Sequence, residues 1–148
     1  MSVALMGPSG GGGSNKEISK MKSTRLWTNA NSFKNFDGNG VKGGPGSTPN
    51  IPLSNLTDYD VLAIACKLYT GSSEDNPFIN YIGVKEQILN GTNNGLFILC
   101  GATGGSGGVY RNARLLSTGL CVTWSTGSLD GEHVSNDGAI PLYVDGLK

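Results

Sequence analysis

Through most of this chain the larger apolar side chains fall on every second position. In Leu62-Ala63-Ile64-Ala65-Cys66-Lys67-Leu68 the bulky groups alternate with small or charged ones. Leu120, Val122 and Trp124 share one face of residues 118–124, and Ile140, Leu142 and Val144 do the same near the C-terminus. A period of two is that of a β-strand with one face on a core and the other toward solvent or a second sheet. The same reading predicts further strands at 25–27, 51–53, 78–82, 84–89, 96–100 and 109–116. Residues 96–100 are apolar on both faces, which predicts a central strand.

Turn signals separate these runs: Asp37-Gly38-Asn39-Gly40, Gly43-Gly44-Pro45-Gly46, Asn90-Gly91, Asn94-Gly95, the glycine-rich stretch 101–108, Asp130-Gly131 and Asp137-Gly138. Asn-Gly and Asp-Gly readily adopt the positive φ angles of tight hairpins. Short strands joined this way, with no long helical pattern, predict an all-β fold. It is an antiparallel β-sandwich, with a jelly roll as one arrangement of it.

The N-terminal end has a different character. Residues 1–14 hold a small apolar patch, Val3, Ala4, Leu5 and Met6, followed by the tether Gly10-Gly11-Gly12-Gly13. Residues 15–23 fit a short amphipathic helix or linker capped by Ser14 or Asn15, with Ile18 and Met21 three apart on one face. Such a helix is marginal alone and needs a partner surface. The sandwich domain is expected over 24–148. An apolar arm beyond a glycine tether cannot bury itself, so Val3, Leu5, Met6, Ile18 and Met21 are the candidates for anchoring the chain to a larger body.

Composition narrows the possibilities. At 148 residues the chain is long enough for one domain with a real core. Eleven basic and eleven acidic side chains cancel, and no basic stripe is present, which argues against nucleic acid as a main partner. No run approaches the ~18 apolar residues of a spanning helix, and the first residues lack the pattern of a signal peptide. Membrane insertion is not expected, and synthesis and folding are expected in the cytoplasm. Cys66, Cys100 and Cys121 are odd in number, lack CxxC spacing and sit in apolar runs, so they read as buried free thiols.

Tests for catalytic chemistry fail at the sequence level. Residues 7–14 resemble a phosphate loop in glycine content, but Gly13 is followed by Ser14-Asn15 where Gly-Lys-Ser/Thr is required. His133 is the one histidine and stands in a polar, turn-like stretch without a nucleophile elbow. Asp37, Asp130 and Asp137 each precede a glycine, where a turn explains them. Asp58 and Asp60 flank Tyr59 at a strand start and read as a solvated end. The expectation is a non-enzymatic protein with no cofactor and no metal site.

A binding feature stands out on 109–116. Tyr110 and Arg114 share a face with Asn112 between them, and Arg111 lies alongside. An aromatic ring with Arg and Asn can stack on a sugar and hydrogen-bond its hydroxyls, so Tyr110, Arg111 and Arg114 are glycan-contact candidates. A solvated sheet face or a subunit contact is the alternative reading. Trp27 and Trp124 lie in apolar strand context and read as core.

The run Leu26-Trp27-Thr28-Asn29 begins a series of short motifs. It continues with Ile51-Pro52-Leu53-Ser54 and with Tyr59-Asp60 before an alternating strand. Arg111-Asn112-Ala113-Arg114 and Gly119-Leu120 follow, and Ile140-Pro141-Leu142-Tyr143-Val144-Asp145-Gly146-Leu147 closes it. In these the chain resembles a small domain of tail-fibre and minor structural proteins of phages and prophages of Gram-positive bacteria, over residues 24–148. The stretch 38–47 is longer than that family's spacer, and 101–108 is richer in glycine. The resemblance implies a component of a phage virion, made in the bacterial host cytoplasm, as a homo-trimer. Its N-terminal arm would dock on other virion proteins, and its β-domain would face a host surface glycan or a neighbouring subunit. Tail fibre or receptor binding is the leading expectation. A head decoration or head-fibre protein, or a stand-alone glycan-binding sandwich, is the alternative.

Overall fold

The computed structural model describes residues 17–30, 46–69, 73–88, 96–102, 109–126, 134–135 and 138–148. The strands are β1 (Ser23–Thr28), β2 (Ile51–Pro52), β3 (Val61–Tyr69), β4 (Phe78–Gly83), β5 (Phe97–Ala102), β6 (Val109–Leu116), β7 (Gly119–Thr126), β8 (Val134–Ser135) and β9 (Gly138–Leu147). One helix, α1 (Val84–Ile88), follows β4, and single 3-10 turns occupy Ile18–Lys20 and Leu56–Asp58.

The strands form two antiparallel sheets. The first has the order β1-β9-β3-β4, and the second β2-β7-β6-β5, with β8 beside the far end of β7. The chain alternates between sheets through β1, β2 and β3. It then makes the β3–β4 hairpin in the first sheet and the meander β5-β6-β7 in the second. This is the antiparallel β-sandwich that the alternation predicts.

The core follows the period-two pattern. Leu62, Ile64 and Cys66 of β3 and Val144 of β9 meet Leu99, Ala113, Leu115, Leu120 and Val122 of the second sheet, all fully buried. Leu26, Trp27, Tyr59 and Phe97 pack at its margin, so Trp27 is a packing residue. Cys66 and Cys121 are buried free thiols; the Cys100 and Trp124 side chains lie outside the described set.

The two ends of the domain lock together. β9 is a central strand that carries Pro141, tolerated there because the register slips one residue between Ala65 and Cys66 of β3. Asn29 holds this irregular stretch: its Nδ2 donates to the Pro141 carbonyl at 2.9 Å and its backbone N–H to Leu142 O at 2.8 Å. Across the sandwich, Asn50 lends its side-chain amide to β7, accepting from Val122 N–H and donating to Val122 O, both at 2.8 Å. It thereby extends the two-residue strand β2.

Three expectations are corrected. Residues 84–88 are helix, because Val84 and Ile88 four apart reach the core while Lys85, Glu86 and Gln87 are good helix formers. Residues 96–100 do not form a central strand: β5 is at the end of its sheet, and its doubly apolar pattern leaves one face in water. The helix expected over 15–23 shrinks to the turn Ile18–Lys20, whose preceding Glu17 makes no side-chain cap, and the chain is already β1 at Ser23. Residues 1–16 and most of the Asn-Gly and Asp-Gly turns lie outside the described residues.

Candidate interaction surface

The anchoring candidates divide. Val3, Leu5 and Met6 lie outside the described residues. Ile18 and Met21 pack, half-buried, against Val61, Ala63 and Leu147 on the outer face of the first sheet. A backbone pair fixes the strap: Lys22 N–H donates to Lys148 O at 2.8 Å and Lys148 N–H to Lys22 O at 3.1 Å. These two side chains therefore turn onto their own domain, because one 3-10 turn cannot present a separate amphipathic face.

Of the three glycan-contact candidates, Arg111 is corrected. Strand β6 alternates buried and half-buried residues, and Arg111 is on the buried side with Val109, Ala113 and Leu115. It is 0% exposed. Its Nε donates to Gly138 O and Ala139 O, both at 3.0 Å, and its Nη1 to Thr123 O at 2.9 Å. Gly138 and Ala139 open β9 in the opposite sheet, and Ala139 holds a left-handed φ of 47°. The guanidinium thus ties the two sheets through carbonyl groups, which offsets the cost of burying its charge. It cannot touch a sugar.

Tyr110 and Arg114 do share the outer face with Asn112, all half-buried. The register sets Ile98 of β5 directly opposite Asn112 and Cys121 of β7 opposite Arg114. Arg114 Nε is buried and meets no acceptor, and Gln87 Oε1 is buried and meets no donor. Burial pushes the Cys121 thiol up, and the neighbouring Arg114 charge opposes that only in part. Among the described residues no group of three or more His, Cys, Asp or Glu is placed to hold a metal. Asp58 and Asp60 are exposed beside the turn Leu56–Asp58; His133, Asp37, Asp130 and Asp137 lie outside the described residues.

What the sequence reading missed is apolar exposure. Leu96 and Ile98 are 57% and 53% exposed, and Phe78, Ile79 and Tyr81 are 42%, 36% and 42% exposed. They belong to β4 and β5 or their approach, the last strands of the two sheets, which lie against each other at one side of the sandwich. Exposed sheet edges usually carry Lys, Glu or Pro. Here β4 reads Phe-Ile-Asn-Tyr-Ile-Gly and β5 Phe-Ile-Leu-Cys-Gly-Ala, without a charge or a proline. Aliphatic groups bordered by Tyr110, Asn112 and Arg114 have the make-up of a protein contact, apolar at the centre and polar at the rim. Sugars instead stack on open aromatic faces. The signal was present in the doubly apolar 96–100, which fits a sticky edge as well as a central strand.

No protein-family model, curated protein or solved structure matches this chain.

Proposed function

We propose that this protein is a structural subunit of a phage virion, a tail-fibre or receptor-binding component that docks through its N-terminal arm. The phage assignment rests on the resemblance over 24–148. The part of the reading that concerns assembly is carried by one observation, the uncharged apolar side formed by β4 and β5. A chain that worked alone would expose these side chains to water, whereas a subunit covers them. The sandwich is braced from within by Arg111, so its surface is free to serve packing.

The arm and the domain are tested separately. Deleting residues 1–14 is expected to abolish incorporation into particles while the domain keeps its circular-dichroism spectrum and thermal transition. Unchanged incorporation of the deletion contradicts the docking role of the arm. For receptor binding, Tyr110→Ala and Arg114→Ala are the informative changes, since Arg111 is interior. Reduced adsorption of particles to host cells supports that role, and unchanged adsorption contradicts it.

A further inference from the structure

The geometry points to β4 as a self-pairing edge: a second copy of this chain adds its own β4 antiparallel across a two-fold axis at Asn80.

The backbone directions follow from the hairpin. Val84 N–H donates to Asp60 O at 2.9 Å, one step beyond the register pair Val61↔Gly83. Antiparallel pairs alternate between hydrogen-bonded and non-bonded, so Ile82, Asn80 and Phe78 bond toward β3. The N–H and C=O groups of Ile79, Tyr81 and Gly83 then face the open edge. On the other side of β3 the same alternation holds, because Lys22 and Lys148 exchange both bonds and leave the odd-numbered β9 residues facing β3. Among the described residues nothing pairs with that edge of β4.

The register centred on Asn80 gives the most favourable side-chain pairs. With Asn80 opposite Asn80 of the second copy, Ile79 falls opposite Tyr81 and Tyr81 opposite Ile79. Both are residues whose backbone groups face outward, so each pair is hydrogen-bonded. Both side chains lie on the outer face, since Ala65↔Ile79 and Ala63↔Tyr81 stand opposite the inward pairs. This makes two aromatic–β-branched cross-strand pairs, a stabilising combination. Pro77 falls opposite Gly83 at each end of this register, so the two central pairs are the ones that exchange both hydrogen bonds. Sliding by two residues loses the aromatic–β-branched pairs, setting Ile79 against Gly83 and Tyr81 against Tyr81, or Tyr81 against Pro77 and Ile79 against Ile79. Sliding by one puts outer residues against inner ones.

Charge agrees with this occupant. Exposed Asp75 precedes β4 and exposed Lys85 follows it, so antiparallel pairing brings opposite charges together at both ends. Of the exposed apolar residues, Ile79 and Tyr81 meet the second copy directly, whereas Leu96 and Ile98 lie on the outer face of the other sheet. A two-fold contact is closed, so it removes the uncharged edge without building fibres.

Sedimentation of the full chain over a range of concentrations tests this. The wild type is expected at twice its 15.3 kDa mass. Ile79→Lys and the double variant Ile79→Lys/Tyr81→Lys are expected to weaken pairing at least about tenfold, with an unaltered circular-dichroism spectrum. The double variant Ile79→Lys/Tyr81→Glu sets opposite charges across both pairs and is expected to recover the dimer, a result tied to this register. A wild type that stays monomeric at about 100 µM, or a trimer whose mass Ile79→Lys leaves unchanged, overturns the inference. The pairing stands apart from the particle reading. Dimers that never co-purify with particles contradict only the latter, and a particle-bound chain that is monomeric when free contradicts only the former.

Discussion

Arg111 shows how a single polar residue can hold two sheets. Its donors meet carbonyls on β7 and on the irregular start of β9, and truncation would strand those acceptors in the interior. Arg111→Ala is expected to destabilise the domain by about 3–5 kcal/mol in chemical denaturation. Arg111→Lys should fall between, since a point charge cannot reproduce the fork. Gly146 is a second pivot: a Cβ there would sit 2.5 Å from the Tyr59 ring. Gly146→Ala is expected to cost about 1–3 kcal/mol by overpacking, read as a lower thermal midpoint. Cys121 supplies a chemical readout. Burial raises its pKa in the folded state, so the neutral thiol is held near neutral pH, and the stability tied to it is lost as pH rises from the unfolded value through that folded value. Alkylating reagent at mildly alkaline pH should leave native Cys121 unmodified and label it after unfolding, with peptide mass spectrometry as the readout. The parity of 109–116 was legible in the sequence and already set Arg111 apart from Tyr110 and Arg114. That it faced Ala113 and Leu115 inside the sandwich was not, because its acceptors come from residues far along the chain.

At the level of elements, alternation identified β1, β3, β4, β6, β7 and β9 because their large apolar groups recur on one side. Burial itself alternates in β6, while in β3, β7 and β9 the smaller residues of the outer face are buried too. It misread residues 84–88, where Val84 and Ile88 satisfy helical spacing as well as an apolar run does. It placed 96–100 in the centre, since the pattern of a strand apolar on both faces does not say whether a neighbour or water lies beyond. The strap before β1 is a further case: Ile18 and Met21 were legible as one apolar face, but not that Val61, Ala63 and Leu147 receive it. Replacing both by Ala is expected to cost about 1–2 kcal/mol, because each is only half-buried. The loss should appear as a lower thermal midpoint with the β spectrum unchanged.

At the scale of the molecule, the sandwich has one guarded and one unguarded side. β1 meets solvent with Arg25, which pairs with Asp145 and lies 3.8 Å over the Tyr143 ring. β4 and β5 carry no charge at all. That asymmetry is what a subunit of an assembly requires, with one side for water and one for a neighbour. Under the proposed function, the resemblance to phage structural domains would name the assembly and β4 would supply a contact. The most direct measurement is the composition of density-purified particles from a culture that produces this chain. The account predicts that the full chain bands with particles at a fixed ratio to the other virion proteins, and that the chain lacking residues 1–14 remains in the unassembled fraction. A full-length chain found only in that fraction would contradict it.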